Sequence, residues 1–137
     1  MTVPSGPGPS FPTGLALQSG DALQKLSDQL FSTKASVTAH AGGTKAAATP
    51  ITAPFTEVSV VATGADSVIL PKGYAGLEII LTNSGASSMQ VFGAGTDTIN
   101  AVATGTGVAQ GNGVTALYKC VEVTAAGVGR WFRILSA

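Results

Sequence analysis

The chain has 137 residues, of which 45% are hydrophobic and only 10% charged, and its seven basic and seven acidic side chains cancel to a net charge of zero. Soluble domains ordinarily carry roughly a quarter charged residues, so much of this surface is expected to be covered by other protein; the plain alternative is a soluble monomer with a Ser/Thr/Gly-rich surface. The clustered Lys and Arg of a nucleic-acid footprint are absent, and no run approaches the ~18 apolar residues of a membrane span.

Residues 1–20 read as a segment of their own. Pro4, Pro7, Pro9 and Pro12 exclude helix and remove backbone donors, leaving an extended, polyproline-like arm. Phe11, Leu15 and Leu17 have no local core to enter, so they are expected to anchor the arm along a neighbouring protein; the alternative is a disordered tail. The segment has neither the basic nor the apolar region of a signal peptide. The expectation is a protein made and used in a cytoplasm, or in a particle assembled there.

Residues 21–56 divide into a short helix and a long connector. In SGDALQKLSDQLFST, Ser19 or Asp21 can cap a helix of about three turns, and Leu23, Leu26, Leu30 and Phe31 form one apolar stripe. A helix this short is marginal alone, so the stripe must pack on the remaining domain or on another subunit. Residues 32–56 read as a loop with an edge strand near Ala35–His40, because Pro50 and Pro54 argue against a central strand. So long a connection suits a second contact arm.

From 57 to 137 the pattern is β. EVSVVAT, SVILP, GLEIILTN, SMQVFG, VTALYKCVEV and RWFRIL alternate with glycine-rich turns. Period-two alternation with frequent turn signals predicts about six to eight strands. The expected fold is mainly β: an antiparallel β-sandwich or jelly-roll-like barrel, with an extended N-terminal arm and one short α-helix. Trp131 is expected to be a core anchor that closes the barrel. Arg130 or Arg133 is available for an intersubunit ion pair, and Tyr74, in the turn PKGYAG, for an exposed contact.

Little of this sequence suits catalysis. One histidine, His40, and one cysteine, Cys120, do not make a metal cluster, and a single cysteine forms no internal disulfide, so Cys120 reads as a small buried hydrophobe. The carboxylates are scattered, and Asp66 and Asp97 sit in turn contexts where Asp caps the local backbone. No serine lies in a nucleophile elbow. GAGTDTIN and GTGVAQGNG are flanked by strand-like residues, so they read as turns rather than phosphate loops. No enzyme activity, cofactor or metal is expected.

The ordered set DSVILPKGYAGLEIILTNSGASSMQVFGAGTDTIN, then a Val/Gly-rich stretch, the Cys120 strand and GRWFRI, resembles the capsid decoration, cement or head-fibre proteins of tailed bacteriophages. The resemblance covers Ala65 to Leu135, about half of the chain, and is specific as an ordered set rather than motif by motif. It implies a structural protein on the capsid exterior, a homodimer or homotrimer that bridges major capsid protein subunits, assembled in the host cytoplasm. Similar modules occur in phage tail fibres and spikes, so a receptor- or glycan-binding module is the alternative.

Overall fold

The computed structural model describes residues 20–137. The prolines of the predicted arm and its anchors Phe11, Leu15 and Leu17 lie outside the described residues. The helix α1 (Gly20–Phe31) and the compact region Thr33–Ala137 are two separate units. In α1 the leucines recur at helical spacing on one side, and Leu23, Leu26, Leu30 and Phe31 are all exposed, Phe31 to 75%.

The second unit is mainly β. Its strands are β1 (Thr33–Thr38), β2 (Thr49–Pro50), β3 (Phe55–Val60), β4 (Ser67–Ile69), β5 (Glu78–Asn83), β6 (Met89–Phe92), β7 (Thr98–Ile99), β8 (Val108–Gln110), β9 (Thr115–Val123) and β10 (Gly129–Leu135). They form a six-stranded sheet in the order β1-β3-β5-β9-β10-β7 and a four-stranded sheet in the order β2-β4-β6-β8. From β1 to β8 the chain changes sheet at every strand.

That alternation corrects the expectation of antiparallel pairing and of a closed barrel. Both sheets are mixed, and their strand orders run from edge to edge without closing. A parallel pair needs a crossover, and here each crossover passes through the opposite sheet. Thr33 pairs with Phe55 and Phe55 with Ile80, all in parallel; Thr49 pairs with Val68 and Val68 with Val91 in the same way. The chain therefore coils, and most of its glycine-rich turns carry it between sheets instead of folding hairpins. The connection from β9 to β10 is a hairpin: Val128 accepts at its carbonyl from Thr124 N–H at 2.9 Å, and Gly127 takes a positive φ of 78° that a side chain would resist.

Residues 32–56 contribute more than a connection. They hold β1, β2 and a 3-10 turn at Lys45–Ala47, and Val37, Ala39 and Ile51 enter the core. β1 lies at the edge of its sheet, close to the predicted edge strand, and is broken by register shifts around Val37 with Ser36 at φ 60°. A bulge and an exposed lysine, Lys34, both blunt an edge against further pairing. Pro50 sits in the two-residue edge strand β2, where its missing N–H is tolerated.

One hydrophobic cluster joins the two sheets. Val58, Ile79, Leu81, Tyr118 and Trp131 come from the larger sheet, and Val68, Met89, Val91 and Val108 from the smaller. The alternation in β5 and β9 sends Ile79, Leu81, Ala116, Tyr118 and Cys120 inward, as the period-two pattern requires. Trp131 is buried in this core, in a sheet that stays open.

Candidate functional site

The residues of this unit divide into polar groups consumed by the fold and an outer sheet face that the fold leaves bare. Asp97 heads the first group. It precedes β7, its side chain is fully buried, and it is ion-paired with Lys72. Its Oδ2 accepts from Gly73 N–H at 2.7 Å and from the Trp131 indole at 3.3 Å, and its Oδ1 accepts from Gly129 N–H at 2.8 Å. Lys72 also donates to the Gly127 carbonyl at 2.7 Å. One carboxylate thus ties together three segments distant in sequence. Burial pushes its pKa up, but the Lys72 ammonium and the surrounding N–H donors outweigh burial and hold it below the ordinary 3.8. Two glycines make room for it: a Cβ on Gly129 would lie 2.7 Å from Asp97 Oδ2, and one on Gly73 3.1 Å from the same oxygen.

Asp66 is the local cap that its turn context predicts. Its carboxylate accepts from Ala62 N–H at 2.7 Å, Thr63 N–H at 3.1 Å and the Thr63 hydroxyl at 2.6 Å. The hydrogen bonds from Thr63 are the largest reason its pKa is lowered. Asp97 departs from that reading, because its backbone donors are distant in the chain.

A second buried network lies under the TNSG turn. Asn83 donates to the carbonyls of Ser87 and Gln110, each at 2.9 Å, and its Oδ1 accepts from Gly85 N–H at 3.0 Å. Gln110 donates to the Leu81 and Val114 carbonyls at 2.8 Å and accepts the Tyr118 hydroxyl at 2.9 Å. Burial pushes the Tyr118 pKa up to about 12. These side chains add hydrogen bonds to backbone carbonyls where the short strands end.

Cys120 is free and buried. Burial, reinforced by the negative charge of Asp97, pushes its thiol pKa up, which favours the unreactive form. Among the described residues no group of three or more His, Cys, Asp or Glu is placed to hold a metal ion. His40 bridges Ser67 through the backbone, accepting and donating at 2.8 and 2.9 Å.

The outward face of the six-stranded sheet is different. Phe55 pairs with Ile80, Ile80 with Leu117, and Leu117 with Ile134, so four apolar side chains form one row across β3, β5, β9 and β10. Phe55 is 46% and Ile134 68% exposed, while Ile80 and Leu117 are half-buried. Exposed Phe132 lies in the next row, opposite Lys119, with the Arg130 guanidinium 5.8 Å from its ring centroid. Lys119 is paired with Glu78 at 2.7 Å, and Arg130 with Glu122. Beside Phe55 runs a groove of about 440 Å³ lined by Thr33, Lys34, Ala35, Phe55, Glu57 and Thr82.

The predicted contact residues fall in separate places. Leu23, Leu26, Leu30 and Phe31 share the exposed stripe of α1, and Tyr74 stands 62% exposed in the loop between β4 and β5. Arg130, considered for an intersubunit ion pair, is engaged by Glu122 within the chain. The row Phe55–Ile80–Leu117–Ile134 escaped sequence reasoning, because each residue is an ordinary alternate position of its own strand. Only the register aligns them. No protein-family model, curated protein or solved structure matches this chain.

Proposed function

We propose that this chain is a structural virion protein that binds the outside of a tailed-phage capsid and stabilises it, as a homo-oligomer, by bridging major capsid protein subunits. The observation that carries the reading is the in-register apolar row Phe55–Ile80–Leu117–Ile134 on the outer sheet face, exposed at Phe55 and Ile134. A soluble monomer gains nothing from such a row, whereas an assembly buries it. The exposed stripe of α1 offers a second apolar surface, and the sparse charge of the sequence suits a protein largely covered by others. In this reading the two sheets form a sandwich of the jelly-roll kind, the Pro-rich residues 1–20 lie across neighbouring subunits, and the protein resides on the virion exterior.

The ordered phage-like motifs support the same reading physically. In TNSG, Asn83 is a buried tether, and a Cβ on Gly85 would stand 2.5 Å from Val61 N. In GTDTIN, Asp97 is the buried carboxylate. These motifs build a rigid frame and leave the surface to bind.

The test is titration of the purified protein against empty capsids, with capsid thermal stability as the readout. Saturable binding that raises the capsid melting temperature is the expected outcome; absence of both binding and stabilisation refutes the proposal. A second reading, a receptor- or glycan-binding module of a tail fibre or spike, draws on the groove beside Phe55, where an aromatic ring meets Thr33, Lys34, Glu57 and Thr82. Glycan binding by a protein indifferent to capsids would favour it.

A further inference from the structure

We propose that Asn112 is a self-modifying residue, deamidated by the backbone nitrogen of Gly113 whenever the turn that holds it opens. The inference goes beyond the assembly reading and involves no partner.

The asparagines of the chain, Asn83, Asn100 and Asn112, are separated by their surroundings. Asn83 is buried, and both ends of its carboxamide are hydrogen-bonded. Asn100 precedes Ala101, and its Oδ1 accepts from Arg133 N–H at 2.9 Å. Asn112 is exposed, and among the described residues its carboxamide has no hydrogen-bond partner. The residue after it is Gly113, whose missing side chain lets its backbone approach closely. A Cβ on Gly113 would have nothing within 4 Å, so there is room for a ring to close.

The chemistry uses only this chain and water. The Gly113 nitrogen gives up its proton and attacks Asn112 Cγ. The new N–C bond closes a succinimide, and the Cγ–Nδ2 bond breaks as the amide nitrogen takes up a proton and leaves as ammonia. Water then opens the ring at either carbonyl, leaving an aspartate or an isoaspartate. Nothing is oxidised or reduced. The isoaspartate routes the main chain through the former side chain and so lengthens it by a methylene.

The fold controls the nucleophile. Asn112 and Gly113 lie in the turn 111–114 between β8 and β9, and Asn83, at the end of β5, clasps that turn. The Asn83 carbonyl accepts from Gly113 N–H at 2.7 Å, and its own N–H donates to the Val114 carbonyl at 3.0 Å. Its carboxamide donates to the Gln110 carbonyl at 2.9 Å. While the clasp is closed the Gly113 proton is committed and the nitrogen does not attack. Local opening frees it, and the lengthened product no longer fits between Gln110 and Val114. The turn is therefore a one-way latch that records its own opening.

The experiment is incubation of the full chain at mildly alkaline pH, native and in guanidinium chloride. Peptide mass spectrometry locates the amide-to-acid mass gain, and amide hydrogen exchange follows Gly113. Conversion is expected first at Asn112, about a hundredfold slower in the native chain than in the unfolded one, because three hydrogen bonds hold the clasp. Guanidinium below the unfolding transition should speed Gly113 exchange and Asn112 conversion by the same factor. The isolated isoaspartate form should melt below wild type, whereas Asn112→Asp, which adds the charge without the methylene, should melt with it. Equal conversion rates in native and unfolded chains, no conversion in the unfolded chain, or native conversion that starts at Asn83 or Asn100 overturns the proposal. An isoaspartate form that keeps the wild-type protection of Gly113 overturns the latch.

Discussion

The Trp131 indole donates to the Asp97 carboxylate at 3.3 Å in the core, joining the last strand to the loop before β7. Asp97 is the acceptor on which Gly73 and Gly129 also depend, and nothing in the β-pattern around GTDTIN marks it as more than a turn residue.

Asp97→Ala leaves two buried backbone donors unsatisfied, each costing about 1–3 kcal/mol, so a total loss of roughly 3 kcal/mol or more is expected. Lys72→Met removes only the ammonium, whose side chain is half exposed, and leaves the backbone donors to Asp97 in place, so its loss should be smaller than that of Asp97→Ala. Urea midpoints of the two variants check the order; equal losses would show that the ion pair, not the backbone tethering, dominates.

The pH dependence follows from the same carboxylate and from Asp66. Both have folded pKa values below the ordinary 3.8, so below that value the unfolded chain binds more protons than the folded one. Their stabilisation is complete above the unfolded value and is lost as pH falls through the folded values. Urea midpoints should therefore be flat from neutral pH down to about 5 and fall steeply below about 4. Asp97→Asn should make that acid slope shallower.

Tyr118→Phe strands the Gln110 Oε1 acceptor in the core, an expected loss of about 1–3 kcal/mol. Ultraviolet titration of the wild type should show Tyr118 ionising only near pH 12. Because the folded pKa is raised, the tyrosine's contribution is whole below pH ~10 and is lost as pH rises through the folded value. Unfolding in alkali should accompany its ionisation.

Gly85→Ala forces a methyl to within 2.5 Å of Val61 N and 2.8 Å of Val61 Cγ2. Backbone cannot yield as a flexible side chain can, so a loss of about 1–3 kcal/mol is expected from overpacking. A melting temperature unchanged from wild type would show that the turn relaxes.

Leu30→Ser and Phe31→Ser alter side chains that the fold leaves exposed, so the thermal stability of the protein should stay within about 0.5 kcal/mol of wild type. Capsid affinity should fall about tenfold or more if the helix stripe is a contact surface. Calorimetry and capsid titration read the two effects separately, and unchanged affinity removes α1 from the interface.

Strand identity was legible in local pattern: GLEIILTN contains β5, SMQVFG contains β6, and VTALYKCVEV contains β9. Alternation reports which side chains share a face, and Ile79, Leu81, Tyr118 and Trp131 went inward as a period of two requires. β7 and β8 were missed, because two or three residues are too few for alternation to register.

Pairing direction was not legible. Glycine-rich turns signal reversal of the chain, but the signal is the same whether the next strand joins its own sheet or the opposite one. Here it joins the opposite sheet from β1 to β8, which makes β1, β3 and β5 parallel. The role of Asp97 was hidden for a related reason, since its donors Gly73 and Gly129 are brought to it by the coil.

Local pattern specifies a β-rich chain poor in charge, with an amphipathic helix and a cysteine and tryptophan destined for the core, because hydrophobic periodicity and composition act locally. The mixed sheets, the buried carboxylate and the row Phe55–Ile80–Leu117–Ile134 emerge only in the folded chain. Each of these depends on register between segments far apart in the chain, and register arises only when two strands meet across a shared core.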